Sequence, residues 1–567
     1  MGRAAADFAA DYYEALLAGH LPVMSQAQPG FLRRALPAAA PEQAESGEAV
    51  LQDVKALILP GLTHWQHPRF FAYFPCCASV PSILGGVLAA AMNVLGFQWA
   101  ASPACTELEQ VIVRGVSSLI SLDWLAQLLG LPPSLCPAAS PAAGAVLYGT
   151  ASEALLAALL AAKARTLAGR QPEDALRLVV YATDQTHSCC RKACMVSGIL
   201  HLRQLPTCAE QGYAMQPQAL EAAVQADLAA GLLPCFVCAT IGTTGCCAVD
   251  PVAELVPVAQ RHSIWLHVDA AWAGAFAILP EQRQAHFQGL EGADSYDVNP
   301  HKALLCGWEC SAAYFQDIQW VRRALTVPPA DSPYLVNDAC GSGRMSLQLV
   351  EAAPGEVADG PAAPTAGTFG ASSGECAGSC FASIAADTGS GTDCFSGEPA
   401  STPPKGSPAA AASCPASGPT NQQPVERQDV DIVFGHGGFR GLRLWMVLRM
   451  YGGDGLRCLM QHRLRMQRFL ADMLAADERF EVVVPPRFGL VCFCLRGSRN
   501  QDNAALLEAV NSSGTAFLSH TLLSGRYVIR CALGGTLTQG CHVEAAWRTV
   551  QRCAGALRAA QVGGHRV

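Results

Sequence analysis

Lys302 follows Asn299-Pro300-His301 directly, and Asp269 closes the apolar run Ile264-Trp265-Leu266-His267-Val268 about one supersecondary unit earlier. A lysine amine that sheds its proton attacks carbonyls and forms a Schiff base. The apolar run reads as a buried strand, which puts Asp269 at a strand end. His267 and Asp269 are two apart, so they share one face of that strand. His187 follows a second apolar strand, in Tyr181-Ala182-Thr183-Asp184-Gln185-Thr186-His187-Ser188, and offers a flat ring. Gly242-Thr243-Thr244-Gly245 follows a third and offers hydroxyl and backbone donors, although a plain β-turn explains it equally well. Gly149-Thr150-Ala151-Ser152-Glu153 opens a helix that is apolar nearly all round. The free amides at such a start suit a phosphate; an ordinary N-cap is the simpler account.

Pyridoxal phosphate (PLP) makes five demands: a lysine, a carboxylate for its ring nitrogen, a stacking partner, phosphate donors and cover from water. Each has a candidate here. Asp269 would stay ionised opposite a pyridinium, because an adjacent positive charge lowers a carboxylate's pKa.

The elements that must hold these residues alternate. Apolar strand candidates at 145–148, 178–182, 234–240, 264–269 and 311–315 are separated by helical segments, which predicts an α/β domain with a largely parallel sheet. Residues 1–78 read as a helical segment with Phe8, Tyr12, Leu16 and Leu17 at helical spacing, suited to packing on a partner subunit. The large domain covers 79–338. Residues 339–428, dominated by Ala, Gly, Ser, Pro and Thr, read as a disordered insertion. From 429 to 567 the chain returns to the core and forms a small α+β domain, with strands near 479–485, 489–496 and 526–533 and a closing helix from about 543 to 560. Gly435, Gly437, Gly438 and Gly441 lack both a Walker lysine and a Rossmann spacing.

The 567 residues carry 38 basic and 46 acidic side chains, a net charge of −8, which argues against nucleic acid or an anionic membrane as partner. No charged residue occurs between Arg69 and Glu107, but Pro75, Pro81 and Pro103 interrupt that stretch, so it predicts a buried helix rather than a membrane span. Twenty-five cysteines without a signal peptide point to a reduced, cytoplasmic setting. Cys235-Phe236-Val237-Cys238 has no second pair at zinc-ribbon spacing, so buried free thiols are the better account and no metal is expected.

Six stretches carry a family resemblance: His67-Pro68-Arg69-Phe70-Phe71-Ala72-Tyr73-Phe74-Pro75, Ala101-Ser102-Pro103-Ala104-Cys105-Thr106-Glu107-Leu108-Glu109, Asp184 to Ser188, His267 to Ala271, Asn299 to Lys302, and Leu448-Arg449-Met450-Tyr451-Gly452. Together they resemble the group II PLP-dependent decarboxylases, in the aromatic-L-amino-acid branch, over nearly all the chain except the insertion. The resemblance implies a fold-type I, aminotransferase-like α/β homodimer with active sites at the subunit interface. It implies a PLP-dependent carboxy-lyase acting on tyrosine, dopa, tryptophan or phenylalanine. It gives Lys302 as the Schiff-base lysine, Asp269 at the ring nitrogen, His187 stacked on the ring, and Tyr334 as the tyrosine of a mobile loop that moves a proton. Ala151, Ser152, Thr244, Ala271, Asn299 and His301 would surround the cofactor. Tyr73, Phe74, Pro75, Cys76, Leu95 and Phe97 would shape the substrate pocket.

Some positions depart from that pattern. Cys76 replaces a small hydroxyl residue, Ala303 replaces a tryptophan, and the stretch before Phe439-Arg440 lacks the usual paired arginines. His436 leaves the choice of side chain unread. The insertion starts just after Tyr334 and is expected to bulge outward, leaving that tyrosine free to reach the site. Rival readings are an aromatic acetaldehyde synthase, an aminotransferase, a histidine decarboxylase, or an inactive relative kept for an interaction.

Overall fold

The computed structural model describes residues 2–96, 101–109, 120–326 and 439–563. Phe97, Tyr334, His436 and the 339–428 insertion lie outside these.

Seven strands form the central sheet: β1 (Gly144–Tyr148), β2 (Leu178–Thr183), β3 (His201–Leu205), β4 (Leu233–Thr240), β5 (Trp265–Asp269), β6 (Ser295–Val298) and β7 (Ser311–Phe315). Their order is β1-β7-β6-β5-β4-β2-β3. β7 alone runs antiparallel to its neighbours. Five of these strands are apolar runs that the sequence marks. β6 (Ser-Tyr-Asp-Val) escaped notice because it is four residues long and half polar, and β3 because it is a partly exposed edge.

One face of the sheet is covered by the Ala151–Thr166, Cys189–Ser197 and Ile318–Leu325 helices, with Val146, Val180, Phe236, Trp265 and Phe315 between. Ala154, Ala157, Ala158, Ala161 and Ala162 let the first of these helices lie close against the strands. The other face carries a larger core of Leu147, Tyr181, Val237, Leu266, Val268 and Tyr296 packed against Trp272, Phe276 and Leu444.

The chain then builds a four-stranded antiparallel sheet from β8 (Phe480–Val482), β9 (Leu490–Leu495), β10 (Ser519–Leu523) and β11 (Arg526–Ala532), ordered β10-β11-β9-β8. The Asn500–Ser512 and Gly540–Gly563 helices flank it around Phe480, Phe493, Leu506 and Trp547.

The charge-free stretch behaves differently from expectation. Its helix, Val80–Met92, is not buried all round: Pro81, Ser82, Gly85 and Ala89 face inward while Val80, Leu84, Val87, Leu88 and Met92 are exposed. The small inward residues explain this, since they permit close approach to the Arg440–Ala475 helix. A Cβ on Gly85 would stand 3.0 Å from Arg443 Cα. None of the described helices is long and apolar enough to cross a membrane.

Candidate active site

In an open α/β sheet, ligands bind outside the carboxyl ends of the parallel strands. Five loops of this chain leave the sheet at that edge, and each carries a candidate. β1 runs through Gly149 into the Ala151–Thr166 helix, capped by Thr150, whose hydroxyl accepts from Glu153 N at 3.3 Å. The Glu153 carboxylate in turn accepts from Gly149 N at 2.9 Å. This fixes the turn and aims the first helical amides, those of Ala151 and Ser152, outward from the sheet edge.

β4 ends in the Gly242 to Gly245 turn. Gly242 has φ +87°, and a Cβ there would sit 2.6 Å from that of Ala273, so the turn requires glycine. The Thr243 hydroxyl is spent inside the turn, accepting from Ala248 N at 3.0 Å, and Thr244 is left exposed.

β5 ends on Asp269, one oxygen of which accepts from Ala271 N at 3.0 Å. β6 ends at Asn299, which donates from its backbone to Ala271 O at 3.1 Å and accepts from Lys302 N at 2.9 Å. Asn299 Oδ1 is buried without a partner. His301 is buried, its Nδ1 lying 2.7 Å from Cys310 O, and burial pushes its pKa down to about 3, so the ring is neutral.

Lys302 sits on the short Pro300–Ala303 helix, and loss of hydration lowers its pKa; Asp269 and then Asp297 oppose that shift. His187, after β2, is solvent-facing, with Nδ1 accepting from Cys189 N at 3.2 Å. Its pKa is lowered by desolvation, against the field of Asp269 and with that of Lys302. Lys302, Asp269 and His187, spread over more than a hundred residues of sequence, are thus within electrostatic reach of one another.

On the substrate side, Tyr73 takes φ +55°, stacks on Trp65 at 5.7 Å between ring centres, and is half exposed. Phe74 turns inward and stacks on Trp272 at 4.4 Å. Pro75 backs Gly534, where a Cβ would meet it at 2.8 Å. The Cys76 thiol is pushed up to about 12 by burial and feels Lys302. Leu95 is exposed. The carbonyl of Ala303 accepts from the buried Arg463.

Two residues went unmarked in the sequence. Asp297 is fully buried beside Asp269, and its place two residues from Ser295 on a polar-apolar alternation was the available signal. Arg530 is buried with its guanidinium 5.2 Å from the Phe74 ring, and it donates to Gly245 O at 3.0 Å and Ser519 Oγ at 2.8 Å. Nothing in its sequence surroundings distinguishes it.

This donor set fits PLP: an amine whose pKa is lowered by loss of hydration, a carboxyl within its reach, an imidazole, a helix start, and the orphaned Asn299 Oδ1 and Thr240 Oγ1 at the same edge. Comparison with known proteins agrees. The model of the pyridoxal-dependent decarboxylase conserved domain matches residues 29–346 and 422–496. The chain is 37% identical to phenylacetaldehyde synthase of Arabidopsis thaliana, covering 97% of this chain and 94% of that protein. It is 38% identical to tyrosine decarboxylase of Oryza sativa subsp. japonica, covering 97% and 89%. The crystal structure of Oryza sativa TDC with PLP and tryptamine superimposes with a TM-score of 0.77 at 34% identity, covering 98% and 97%. The sheet is therefore that of a fold-type I enzyme with PLP as cofactor, and the chain belongs to the pyridoxal-dependent decarboxylase family.

Proposed function

We propose that this enzyme removes the carboxyl group of an aromatic L-amino acid as CO2 and releases the amine, working as a homodimer. The observation that carries the reading is the meeting of Lys302, Asp269 and His187 at one sheet edge, with His187 in the field of the other two and Lys302 in that of Asp269. Relatives named for tyrosine and tryptophan decarboxylation support the aromatic substrate.

PLP, when bound, supplies an aldehyde that captures the substrate amine and a protonated ring that takes up the electron pair left by CO2. The protein's share is positional. Lys302 would offer the amine, its ammonium form disfavoured by loss of hydration and favoured by Asp269 and Asp297. Asp269 would hold the proton at the cofactor's ring nitrogen, His187 would stack on the ring, and the amides of Ala151 and Ser152 would hold the phosphate. Thr244, Ala271, Asn299 and His301 complete the surround. Tyr73, Phe74, Pro75, Cys76, Leu95 and Phe97 would bind the side chain and so orient the substrate for loss of its carboxyl group. Tyr334 returns a proton to the α-carbon.

The homodimer is supported by the apolar stripe Val80, Leu84, Val87, Leu88 and Met92, continued by Leu95, with Val87 62% exposed. A stripe of that kind marks an interaction surface.

The second reading is an aromatic acetaldehyde synthase, favoured by the similarity to phenylacetaldehyde synthase. It consumes oxygen and releases aldehyde, CO2, ammonia and peroxide. Product analysis with tyrosine, dopa, tryptophan, phenylalanine and histidine separates the two. We expect one amine per CO2 and no peroxide; stoichiometric peroxide with ammonia would overturn the decarboxylase reading.

A further inference from the structure

β5 and β6 run in register, with His267 opposite Ser295 and Asp269 opposite Asp297. Strand alternation places all four side chains on the face covered by the Ala151–Thr166 helix. An indole can only donate, and Trp265 Nε1 lies 2.8 Å from Ser295 Oγ. That leaves the serine able to give its own hydrogen to His267 Nδ1, 2.9 Å away, while its second lone pair would equally accept from that nitrogen. A neutral imidazole that accepts at Nδ1 carries its proton on Nε2. That atom lies 3.1 Å from Asp297 Oδ1. Both Asp297 oxygens are buried without another partner. With the serine as donor, the chain Trp265, Ser295, His267, Asp297 runs in one direction and ends on a carboxyl.

A buried acid with so little support costs stability, and the reaction as derived above uses only Asp269. Asp297 has within its electrostatic reach Asp269 and His267 on β5, Lys302 on the following helix, the thiols of Cys189 and Cys238, and, from the opposite face of the sheet, the Tyr296 phenol. Lys302 and a protonated His267 are the cations in that set. Burial, and then Asp269, push the Asp297 carboxyl up to about 6.

We propose that Asp297 and His267 share one proton directly behind Asp269, adding a second, titratable negative charge to the pocket for the cofactor's ring nitrogen. Asp297 is a positioning residue: it acts on the cofactor through Asp269, and the inference rests on the reading of Asp269 given above. As pH rises through about 6 the pair loses its extra proton, and the field that holds the protonated ring strengthens. The same burial weakens the scaffold. A carboxyl whose folded pKa is raised contributes stability at low pH that is lost as pH climbs to that value.

The test compares apoprotein forms of the full chain: wild type, Asp297→Asn and Asp269→Ala. PLP dissociation constants are measured by fluorescence titration from pH 5 to 8, with melting of each apoprotein over the same range. Because the ligand is common, its own titration cancels in the ratio of constants. For Asp297→Asn we expect a ratio near one at pH 5 that rises to about tenfold weaker binding at pH 8. Its apoprotein should melt above wild type by a margin that grows up to pH 6 and is then constant. A ratio that does not change with pH overturns the shared-proton pair. If Asp269→Ala also binds PLP as wild type does, the assignment of Asp269 fails with it, and the two failures are told apart. Should Asp297→Asn not fold, 15N spectra of histidine-labelled wild-type apoprotein decide. An Nε2–H tautomer at His267 with a step near pH 6 supports the pair, and an Nδ1–H tautomer or no step overturns it.

Discussion

A lysine that attacks a carbonyl has to be neutral, and Lys302 moves toward that state because its surroundings hydrate it poorly, although Asp269 and Asp297 pull the other way. Borohydride treatment of the cofactor-loaded enzyme should fix a pyridoxyl group on Lys302, found by peptide mass. The Lys302→Ala variant should carry none; an equally labelled variant would place the covalent link elsewhere. Cys76 is the opposite case. Its thiol is pushed up to about 12, so it stays protonated across the working range. Cys76→Ser should therefore leave the shape of the kcat pH profile between 6 and 9 unchanged while altering KM. A lost limb in that profile would show that the thiolate takes part.

Helix starts and strand ends do most of the positioning. Thr150 caps the Ala151–Thr166 helix through Glu153 N. Replacing it with Ala should cost about 1 kcal/mol in denaturant unfolding and weaken PLP binding, because the amides of Ala151 and Ser152 lose their fixed aim. Trp272 connects the two sheets: its ring stacks on Phe74 and its indole donates to Phe488 O at 2.8 Å. Trp272→Phe keeps most of the packing but leaves that buried carbonyl unpaired, a loss of about 1–3 kcal/mol that urea unfolding would detect.

At the scale of the whole molecule, Val87 lies at the centre of the exposed stripe on the Val80–Met92 helix. On the proposed homodimer, Val87→Glu should shift sedimentation from dimer to monomer; a variant as dimeric as wild type would place the interface on another surface, and a monomeric wild type would overturn the dimer. The pH dependence of stability has two opposed parts. Glu109, Asp250 and Asp297 have folded pKa values raised to about 7, 6 and 6, first by burial, so their contribution falls as pH rises toward neutrality. His67 and His301, lowered to about 4 and 3 by burial, must stay neutral when folded, so theirs falls as pH drops below the ordinary histidine range. His64, His286 and His542 are shifted the same way as these two. With His187, six histidines are lowered against three raised carboxyls, so melting temperature should fall between pH 6.5 and 5, and a rise over that range would mean the carboxyls dominate.

By itself the sequence determined the sheet's apolar strands, because runs such as Phe236 to Ala239 and Leu266 to Val268 have no stable place outside a core. It also determined the residue types for the chemistry, since Asn299 to Lys302 and His267 to Ala271 are contiguous and need no fold to be noticed. What it left open were facts about distant neighbours. That Lys302, Asp269 and His187 meet follows from parallel strands delivering their carboxyl ends to one edge, which no local pattern encodes. Burial of Asp297 beside Asp269 depends on the register of β5 against β6, and the open face of the Val80–Met92 helix depends on which side its small residues turn. Register and facing are properties of pairs of elements, so only the tertiary structure decided them.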